Sequence, residues 1–337
     1  SFNSNSGFNI KSFVLDADIQ IKDANTMITG LELVTDRSEI IINKAELNNF
    51  NPFDSASFEN FGEKDLEADI NIARINFSDL RFFLPEVDML DSTAGLILKA
   101  KGKIRDIDIS ELKLTLPNSV IELKGKLQNL DEPSLIYLDV AIENMNLLAA
   151  DVMRSIKIEG IPDLMPFGHI SGNLIFKGTF EKFFSQYEVN TQSGNAKGYI
   201  DLDINAEIYS GKISTSNLNI GKFLNNKDLI SNLNLNAEFS GKSFDLNKMY
   251  SSVNYSLRNS SISGFDIRSS SGKIYFAKKN INMDVMHSSS IGNIKFRGNV
   301  NISDMNDPVY RLKGKAAHLN ISAVTKNAQD KSDLNFS

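Results

Sequence analysis

The sequence predicts an all-β protein built from one long antiparallel repeat sheet with a few short helices. Apolar and polar residues alternate with a period of two along most of the chain, and a strand sends successive side chains to opposite faces of its sheet. Turn signals interrupt the alternation at short intervals. This arrangement is typical of antiparallel meanders, because strands buried in a parallel sheet lack the polar positions.

The strands are clearest where one face is fully polar. Segment 95–104 has leucine and alanine on one face and Lys99, Lys101 and Lys103 on the other. Segment 199–208 alternates isoleucine, leucine and alanine with aspartate, asparagine and glutamate. The same period of two runs through five further segments: 112–116, 121–127, 135–142, 233–239 and 294–302.

Polar turn signals separate these runs. They lie at Pro117–Ser119, Gln192–Asn195, Arg258–Ser261 and His287–Ser290. Each precedes a predicted strand that carries a glycine: Gly125, Gly198, Gly264 and Gly298. Because glycine inside a strand often marks a bulge or a sharp bend, we expect the sheet to bend at these positions.

Helical segments are few and short. Segment 78–84 begins at Ser78 as an N-cap and must end near Pro85. A second helix is predicted within 146–156, and single helical turns are predicted near residues 221 and 322.

A short sequence motif, apolar–Asn–apolar, recurs at the predicted helical segments and indicates an internal repeat. Its asparagines lie 70, 73 and 101 residues apart: Asn76, Asn146, Asn219 and Asn320. Three of the strand glycines keep nearly the same steps, 73 and 100 residues: Gly125, Gly198 and Gly298. Two markers in step favour a repeat over coincidence in an asparagine-rich β protein.

The repeat predicts one continuous β-repeat region over residues 1–337, as an internal fragment of a longer protein. The approximate units are 1–85, 86–155, 156–226 and 227–327, and residues 328–337 form a polar tail or a truncated next unit. Repeats of this kind stack so that each contacts only its neighbours.

A sheet of this length has a large apolar face that cannot stay exposed to water. About twenty strand-like runs spaced by about 4.8 Å give a length on the order of 100 Å. Such a sheet must curl, fold over or be lined by a ligand. We therefore expect an open apolar groove lined by Leu96, Leu98, Leu114, Leu123, Leu138, Val140, Leu174, Phe176, Leu202, Ile204, Leu235 and Phe296.

The composition excludes several functions. The net charge of −6 argues against a nucleic-acid partner, since phosphate binding needs a basic surface. The absence of cysteine excludes disulfides, thiolate metal sites and cysteine nucleophiles. No apolar run is long enough to span a membrane.

No catalytic, metal or cofactor-binding residues are predicted. The histidines, His169, His287 and His318, lie far apart, and no metalloprotease, nucleophile-elbow or phosphate-loop motif occurs. We therefore predict that the protein is not an enzyme and holds no cofactor.

Two groups of charged residues could each form a functional site or simply be exposed to solvent. Asp88 and Asp91 could form a carboxylate pair, but their place between Pro85 and the next strand favours solvated loop acids. The lysine stripe of segment 95–104 could contact anionic headgroups. Its position opposite an apolar face favours a solvated outer surface.

In several short motifs the sequence resembles the TamB translocation and assembly module family of the AsmA-like superfamily. The resemblance covers nearly the whole chain, best from about Leu80, and rests on the order and number of degenerate motifs. These include Leu90–Gly95 with Lys101–Lys103, Leu112–Thr115 with Asn118–Ser119 and Leu123–Gly125, Gly172–Gly178, Ser210–Ser214 with Leu218–Lys222, and Phe239–Asp245.

The resemblance implies a β-taco, a long twisted sheet folded lengthwise around an apolar groove. It also implies a periplasmic protein, anchored in the inner membrane through a segment not present in this chain, that moves phospholipid toward the outer membrane. The implied partners are phospholipid acyl chains and an Omp85-type outer-membrane protein, bound through a C-terminal region absent here.

Two other functions stay open from the sequence. The main alternative is a non-enzymatic structural or adhesive β-solenoid of the cell envelope, filled by its own side chains. The predominance of Leu, Ile, Val and Phe on the predicted inner face, without stacked small residues, favours the lipid conduit. A sugar-acting enzyme on a β-helix would need acidic clusters at matching repeat positions, and none is found.

Overall fold

The computed structural model describes residues 2–3, 9–10, 13–22, 24–35, 37–76, 93–130, 132–155, 163–325 and 328–337. The chain divides into two compact units, Ser1–Phe180 and Glu181–Ser337. Antiparallel strands dominate both units and the helices are short, so the predicted all-β fold class is confirmed.

The first unit is an antiparallel meander in which each strand from β3 to β11 pairs with the next along the chain. A separate hairpin pairs β1 (Phe2–Asn3) with β2 (Asn9–Ile10). Helix α1 (Ala149–Ser155) follows β10. The meander strands are β3 (Phe13–Lys22), β4 (Asn25–Thr35), β5 (Glu39–Asn48), β6 (Asp65–Asn76), β7 (Thr93–Lys103), β8 (Asp106–Leu116), β9 (Ser119–Gln128), β10 (Tyr137–Leu148) and β11 (His169–Gly178).

Bulges recur across the first unit. The register shifts in every consecutive strand pair of the meander except β4–β5. A bulge bends its strand and increases the local twist, and repeated bulges are how a long sheet curves instead of lying flat. The polar and apolar positions resume their alternation after each shift, so the two faces of the sheet stay distinct.

The second unit continues the antiparallel pattern from β12 to β22. Its helices are α2 (Ile220–Phe223) and α3 (Ser322–Thr325). The strands are β12 (Lys182–Thr191), β13 (Gly194–Asp203), β14 (Ile208–Ser216), β15 (Ser231–Asn232), β16 (Leu235–Lys242), β17 (Tyr250–Ile262), β18 (Phe265–Ala277), β19 (Asn280–Ser289), β20 (Asn293–Asn301), β21 (Val309–Leu319) and β22 (Leu334–Phe336).

Most predicted helical segments are confirmed, and three predicted features are wrong. The turn predicted at His287–Ser290 lies largely inside β19, which ends at Ser289. Helices α1, α2 and α3 fall where helical segments were expected, whereas segment 78–84 lies outside the described residues. The turn predicted at Arg258–Ser261 lies inside β17. There Asn259 has a φ of 46°, so a left-handed residue kinks a strand that continues. Gly264 lies in the turn after β17, not inside a strand.

Each helical linker is hydrogen-bonded to a hairpin turn two strands earlier in the chain. The Asn118 N–H donates to the Asp151 carboxylate of α1 at 2.6 Å. The Asn219 N–H, just before α2, donates to the Ser193 carbonyl at 2.7 Å. The Asn320 N–H donates to the Ile291 carbonyl at 2.8 Å before α3.

The spacing between the last two asparagines of the repeated motif, Asn219 and Asn320, is longer than the others because the sheet has an additional hairpin there. Four strands, β11 to β14, separate α1 from α2. Between α2 and α3 lie β16 to β21, together with the short β15 that precedes β16. Two extra long strands therefore explain a spacing of 101 residues where the previous spacing is 73.

The last two copies of the apolar–Asn–apolar motif, around Asn219 and Asn320, share one hydrogen-bond arrangement. Asn219 Oδ1 accepts from the N–H groups of Lys222 and Ser231, at 3.1 and 3.4 Å. Asn320 Oδ1 accepts from Ser322 and Ser332, at 3.2 and 3.3 Å. In both copies the later serine hydroxyl accepts the N–H that follows the asparagine, at 2.8 Å.

Candidate functional site: the apolar face of the sheet

The first unit carries an apolar face that passes from strand to strand without a break. Residues directly opposite in an antiparallel pair lie on the same face. One unbroken row of branched aliphatic side chains crosses eight strands from β4 to β11: Leu31, Ile42, Ile70, Leu98, Leu112, Leu123, Ile142 and Leu174. At about 4.8 Å per strand the row is about 34 Å long.

The large side chains of the aliphatic row are only half-buried, whereas Ile75, Ile109 and Val140 elsewhere on this face are buried. Leu96, Leu98, Leu114 and Leu123 all have intermediate exposure. The most deeply buried of the described residues are small: Ser38, Ser193 and Ala149, each 1% exposed. In a packed interior, large aliphatic side chains are the ones that become fully buried. The row is therefore not covered by a second layer of comparable apolar side chains from the described residues.

The predicted lining residues separate between the two units, with one exception. On the apolar face of the first unit lie Leu96, Leu98, Leu114, Leu123, Leu138, Val140, Leu174 and Phe176. On that of the second unit lie Leu202, Leu235 and Phe296. Ile204 is 44% exposed in the turn that follows β13, because the strand ends at Asp203.

Aromatic rings lie over glycines on the apolar face of the second unit. Phe239 pairs with Gly211, and its ring lies 2.6 Å from where a β-carbon on that glycine would stand. Tyr255 lies over Gly272 in the same way, at 3.0 Å. A glycine lets a neighbouring ring lie flat against the backbone, which is also how aromatic residues protect strand glycines. The aromatic rings therefore lie close to the backbone on this face.

The opposite face is polar and laced with cross-strand ion pairs in the first unit. Lys113 pairs with Glu122 at 2.7 Å and Lys177 with Asp139 at 2.7 Å. These charges are largely exposed, and such pairs contribute little to stability. They mark the face that meets water.

The predicted lysine stripe belongs to this outer face. Lys99 pairs with Glu111 at 3.0 Å, and Lys103 pairs with Glu63 at 2.6 Å. Hydrogen bonds from Lys103 and Arg105 hold the pKa of Glu63 at about 2, well below the usual range of a carboxyl group. Carboxylates therefore already neutralise much of this stripe, which favours the plain interpretation of a solvated surface.

The described residues hold no cluster of three or more side chains that could bind a metal ion. His169 is exposed at the start of β11, and His318 lies 3.0 Å from Asp333 on the surface. His287 lies on the apolar face of the second unit opposite Ile294, where burial lowers its pKa. Asp88 and Asp91 lie outside the described residues.

Sequence reasoning missed part of the apolar face. Leu31, Ile42 and Ile70 continue the aliphatic row into β4, β5 and β6. Four consecutive positions, 39–42, hold glutamate and three isoleucines, so the alternation that would have identified β5 is interrupted. The aromatic residues over glycines were also missed, because their cross-strand partners are distant in sequence.

No family model, curated protein or solved structure matches this chain. No helix in the described part of the chain combines the length and the apolar character needed to cross a membrane.

Proposed function

We propose that this chain is a non-enzymatic, periplasmic segment of a TamB- or AsmA-like envelope protein. Its apolar face conducts phospholipid between the inner and outer membranes and so supports outer-membrane biogenesis. The observation that carries the proposal is the unbroken aliphatic row from Leu31 to Leu174, whose large side chains are only half-buried. The motif resemblance supplies the envelope setting.

The dimensions of the apolar face suit an acyl chain. Four alternate residues along a strand span about 20 Å, and the hydrocarbon of one membrane leaflet is about 15 Å thick, half of the bilayer core. Each methylene that leaves water gains about 0.8 kcal/mol wherever it lies along the face. An acyl chain can therefore move along the row without meeting one deep binding minimum.

The alternative is a structural or adhesive solenoid filled by its own side chains. The repeated linker arrangement around Asn219 and Asn320 suits such a scaffold. A solenoid of this kind would bury its large inward-facing residues, as packed interiors do. The half-burial of Leu96, Leu98 and Leu114 therefore favours a face that takes a ligand.

Lipid recovery with charged variants tests the proposal. A charge placed on the apolar face forces an unpaired ion or trapped water against the acyl chain, at a cost of several kcal/mol. Leu138→Asp and Leu202→Lys should reduce the phospholipid that co-purifies with the folded chain, measured by native mass spectrometry, by about tenfold or more. Equal lipid in these variants, or no lipid with the unaltered chain, would favour the structural alternative.

Matched controls place the same charges on the polar face. Thr115→Asp and Asp201→Lys change exposed side chains on strands of the two units and should leave lipid recovery unchanged. Asp203 is a poor control, although it shares the face of Asp201. Its carboxylate pairs with Lys182 at 3.0 Å and accepts the Ala206 N–H at 2.9 Å.

A further inference from the structure

We propose that one edge of the second unit inserts into the surface of a phospholipid bilayer that contains anionic lipid. This edge, which we call the loop rim, consists of the turn 204–207, the loop 243–249 and the turn 278–279. The proposal goes beyond lipid conduction and does not depend on it. It rests on apolar side chains exposed on both sides of the rim and on the lysines around them.

Backbone hydrogen bonds join the three segments of the loop rim into one continuous edge. The Ser243 N–H donates to the Glu207 carbonyl at 2.8 Å, and the Lys278 N–H donates to the Met249 carbonyl at 2.9 Å. Strands β14, β16, β17 and β18 pair in this order, so their ends at the rim lie side by side. The rim therefore presents its side chains as a single surface.

Asp245 holds the loop 243–249 in a fixed conformation. Its carboxylate accepts the backbone N–H and the side-chain amide of Asn247, at 2.9 and 2.7 Å. Its carbonyl accepts the Lys248 N–H at 2.8 Å. The hydrogen bonds from Asn247 hold the pKa of the Asp245 carboxyl below its usual range. Side chains presented by a loop fixed in this way lose little conformational entropy on binding.

Two exposed apolar side chains extend the apolar face past the end of β16. Phe244 and Leu246 flank Asp245 and are 50% and 38% exposed. The Phe244 ring stacks on Tyr209, with centroids 5.6 Å apart, and Tyr209 lies on the apolar face. The apolar surface therefore continues from the sheet onto the rim.

The polar face also becomes apolar at the rim. Ile208, Lys242 and Tyr250 are cross-strand neighbours in β14, β16 and β17. Ile208 and Tyr250 are 49% and 42% exposed. Two residues further from the rim, the same face of these three strands carries serines instead: Ser210, Ser240 and Ser252. Both sides of the sheet therefore carry exposed apolar side chains at this edge.

Apolar exposure on both sides of one edge favours a bilayer over a protein partner. A partner docked on a sheet contacts one face of it, whereas a bilayer interface surrounds an edge that enters it. The fold itself does not impose this arrangement, because the same end of the polar face is charged in the first unit. There Lys103 lies directly opposite Asp65 and Asp106.

The charge of the loop rim suits an anionic lipid surface. With the adjoining end of β16, the rim holds four lysines and two acids: Lys242, Lys248, Lys278 and Lys279, and Glu207 and Asp245. Lys278 Nζ lies over the Tyr250 ring, 5.8 Å from its centroid. Lysine stems and tyrosine rings can lie along apolar surface while their polar ends stay in water. Lysines near a membrane surface are attracted to its anionic lipids.

The positive charge is confined to the middle of this edge. On one side, Asp203 is paired with Lys182 at 3.0 Å. On the other side, the loop 302–308 carries Asp304 and Asp307. The lysines are therefore concentrated around Tyr250, where the exposed apolar side chains also lie.

A single tryptophan at the rim tests insertion directly. The chain has no tryptophan, so Leu246→Trp introduces a unique fluorophore. With vesicles of phosphatidylethanolamine and phosphatidylglycerol, its emission should shift to the blue and be quenched by brominated phospholipid. The matched control is Leu224→Trp, at a 56% exposed leucine beyond the opposite end of β14, and it should show neither change. The readout is local to the rim, so failure of lipid conduction would not affect it.

Vesicle flotation measures the contribution of the apolar side chains. The double variant Phe244→Ser and Leu246→Ser should bind the same vesicles about tenfold more weakly, because two inserted side chains are lost. The control Leu224→Ser and Ile230→Ser, which changes two residues of similar exposure, should bind normally. Leu246→Ser alone leaves the stack of Phe244 on Tyr209 intact and should still weaken binding. Circular dichroism establishes that the variants are folded.

The lysines should determine the preference for anionic lipid. Lys248→Gln with Lys278→Gln should weaken binding to the phosphatidylglycerol vesicles about tenfold, with little effect on phosphatidylcholine vesicles. The control Lys197→Gln with Lys212→Gln removes the same charge from exposed positions of β13 and β14 and should leave binding unchanged.

The proposal is wrong if the two tryptophan variants respond alike to vesicles, or if each double variant binds as its control does. Analytical ultracentrifugation tests the other occupant, a second copy of the chain. A dimer that dissociates in the Phe244→Ser and Leu246→Ser variant, without vesicle binding by the unaltered chain, would assign the rim to self-association and overturn the membrane contact.

Discussion

Tyr209 in β14 lies over Gly241, its cross-strand partner in β16. The ring carbon Cζ and the hydroxyl oxygen of Tyr209 are each 2.5 Å from the point where a β-carbon on Gly241 would stand. The ring also stacks on Phe244, with centroids 5.6 Å apart. The glycine is therefore the reason that this ring lies flat on the apolar face of the second unit.

Gly241→Ala should destabilise the fold by about 1 kcal/mol. Alanine is favoured over glycine inside a strand by about 0.5–1 kcal/mol through backbone entropy. The added methyl group, however, forces the Tyr209 ring to move, and overpacking of this kind costs about 1–3 kcal/mol. Urea unfolding of the variant measures the difference.

The neighbouring substitution Ser240→Ala is the matched control, since Ser240 is exposed and lies on the polar face of the same strand. It should change the free energy of unfolding by less than about 0.5 kcal/mol. A Gly241→Ala variant as stable as the unaltered chain would mean that the ring is free to move.

The asparagines of the repeated apolar–Asn–apolar motif allow three identical substitutions with different expected results. Asn219→Ala and Asn320→Ala should each cost about 0.5–2 kcal/mol, because each removes an acceptor for two backbone N–H groups at a helical turn. Asn146→Ala should cost less than about 0.5 kcal/mol, since Asn146 is exposed within β10. Chemical denaturation of the three variants provides the comparison, and equal losses would contradict it.

His287 should make the fold less stable in mild acid. Burial on the apolar face lowers its pKa below the ordinary value of 6.5, so the unfolded chain binds a proton that the folded chain does not. Stability is therefore fully present above pH 6.5 and falls as the pH drops from 6.5 toward the lowered pKa. His287→Asn should remove this part of the pH dependence.

Urea unfolding at a series of pH values between 5 and 8, chosen to bracket the ordinary histidine pKa of about 6.5, tests this expectation. The unaltered chain, measured under the same conditions, is the reference. A slope of stability against pH in His287→Asn equal to that of the unaltered chain would contradict the assignment.

The sequence was most informative where one face of a strand is purely polar. Leu96 and Leu98 could be placed on one face because Lys99, Lys101 and Lys103 occupy the other, and the register with β8 agrees. The prediction of one strand over 199–208 is wrong beyond Asp203, where β13 ends. A turn at residues 204–207 interrupts it, although the alternation of side-chain polarity continues through the turn.

Features that depend on cross-strand register could not be predicted. The ring of Tyr209 meets Gly241 only because β16 follows β14 in the sheet. The contact of Phe239 with Gly211 depends on the same pairing of β14 with β16. Local patterns specify which face a residue occupies, whereas these relationships depend on which strands become neighbours.

Photo-crosslinking in cells is the most direct test of the lipid conduit. A photoreactive phenylalanine analogue at Leu138 or Leu202 should crosslink to radiolabelled phospholipid. The same analogue at Thr115 or Asp201, on the polar face, should give little or no labelled product. Equal labelling at the two sets of positions, or no labelling at Leu138 and Leu202 in folded protein, would contradict the account.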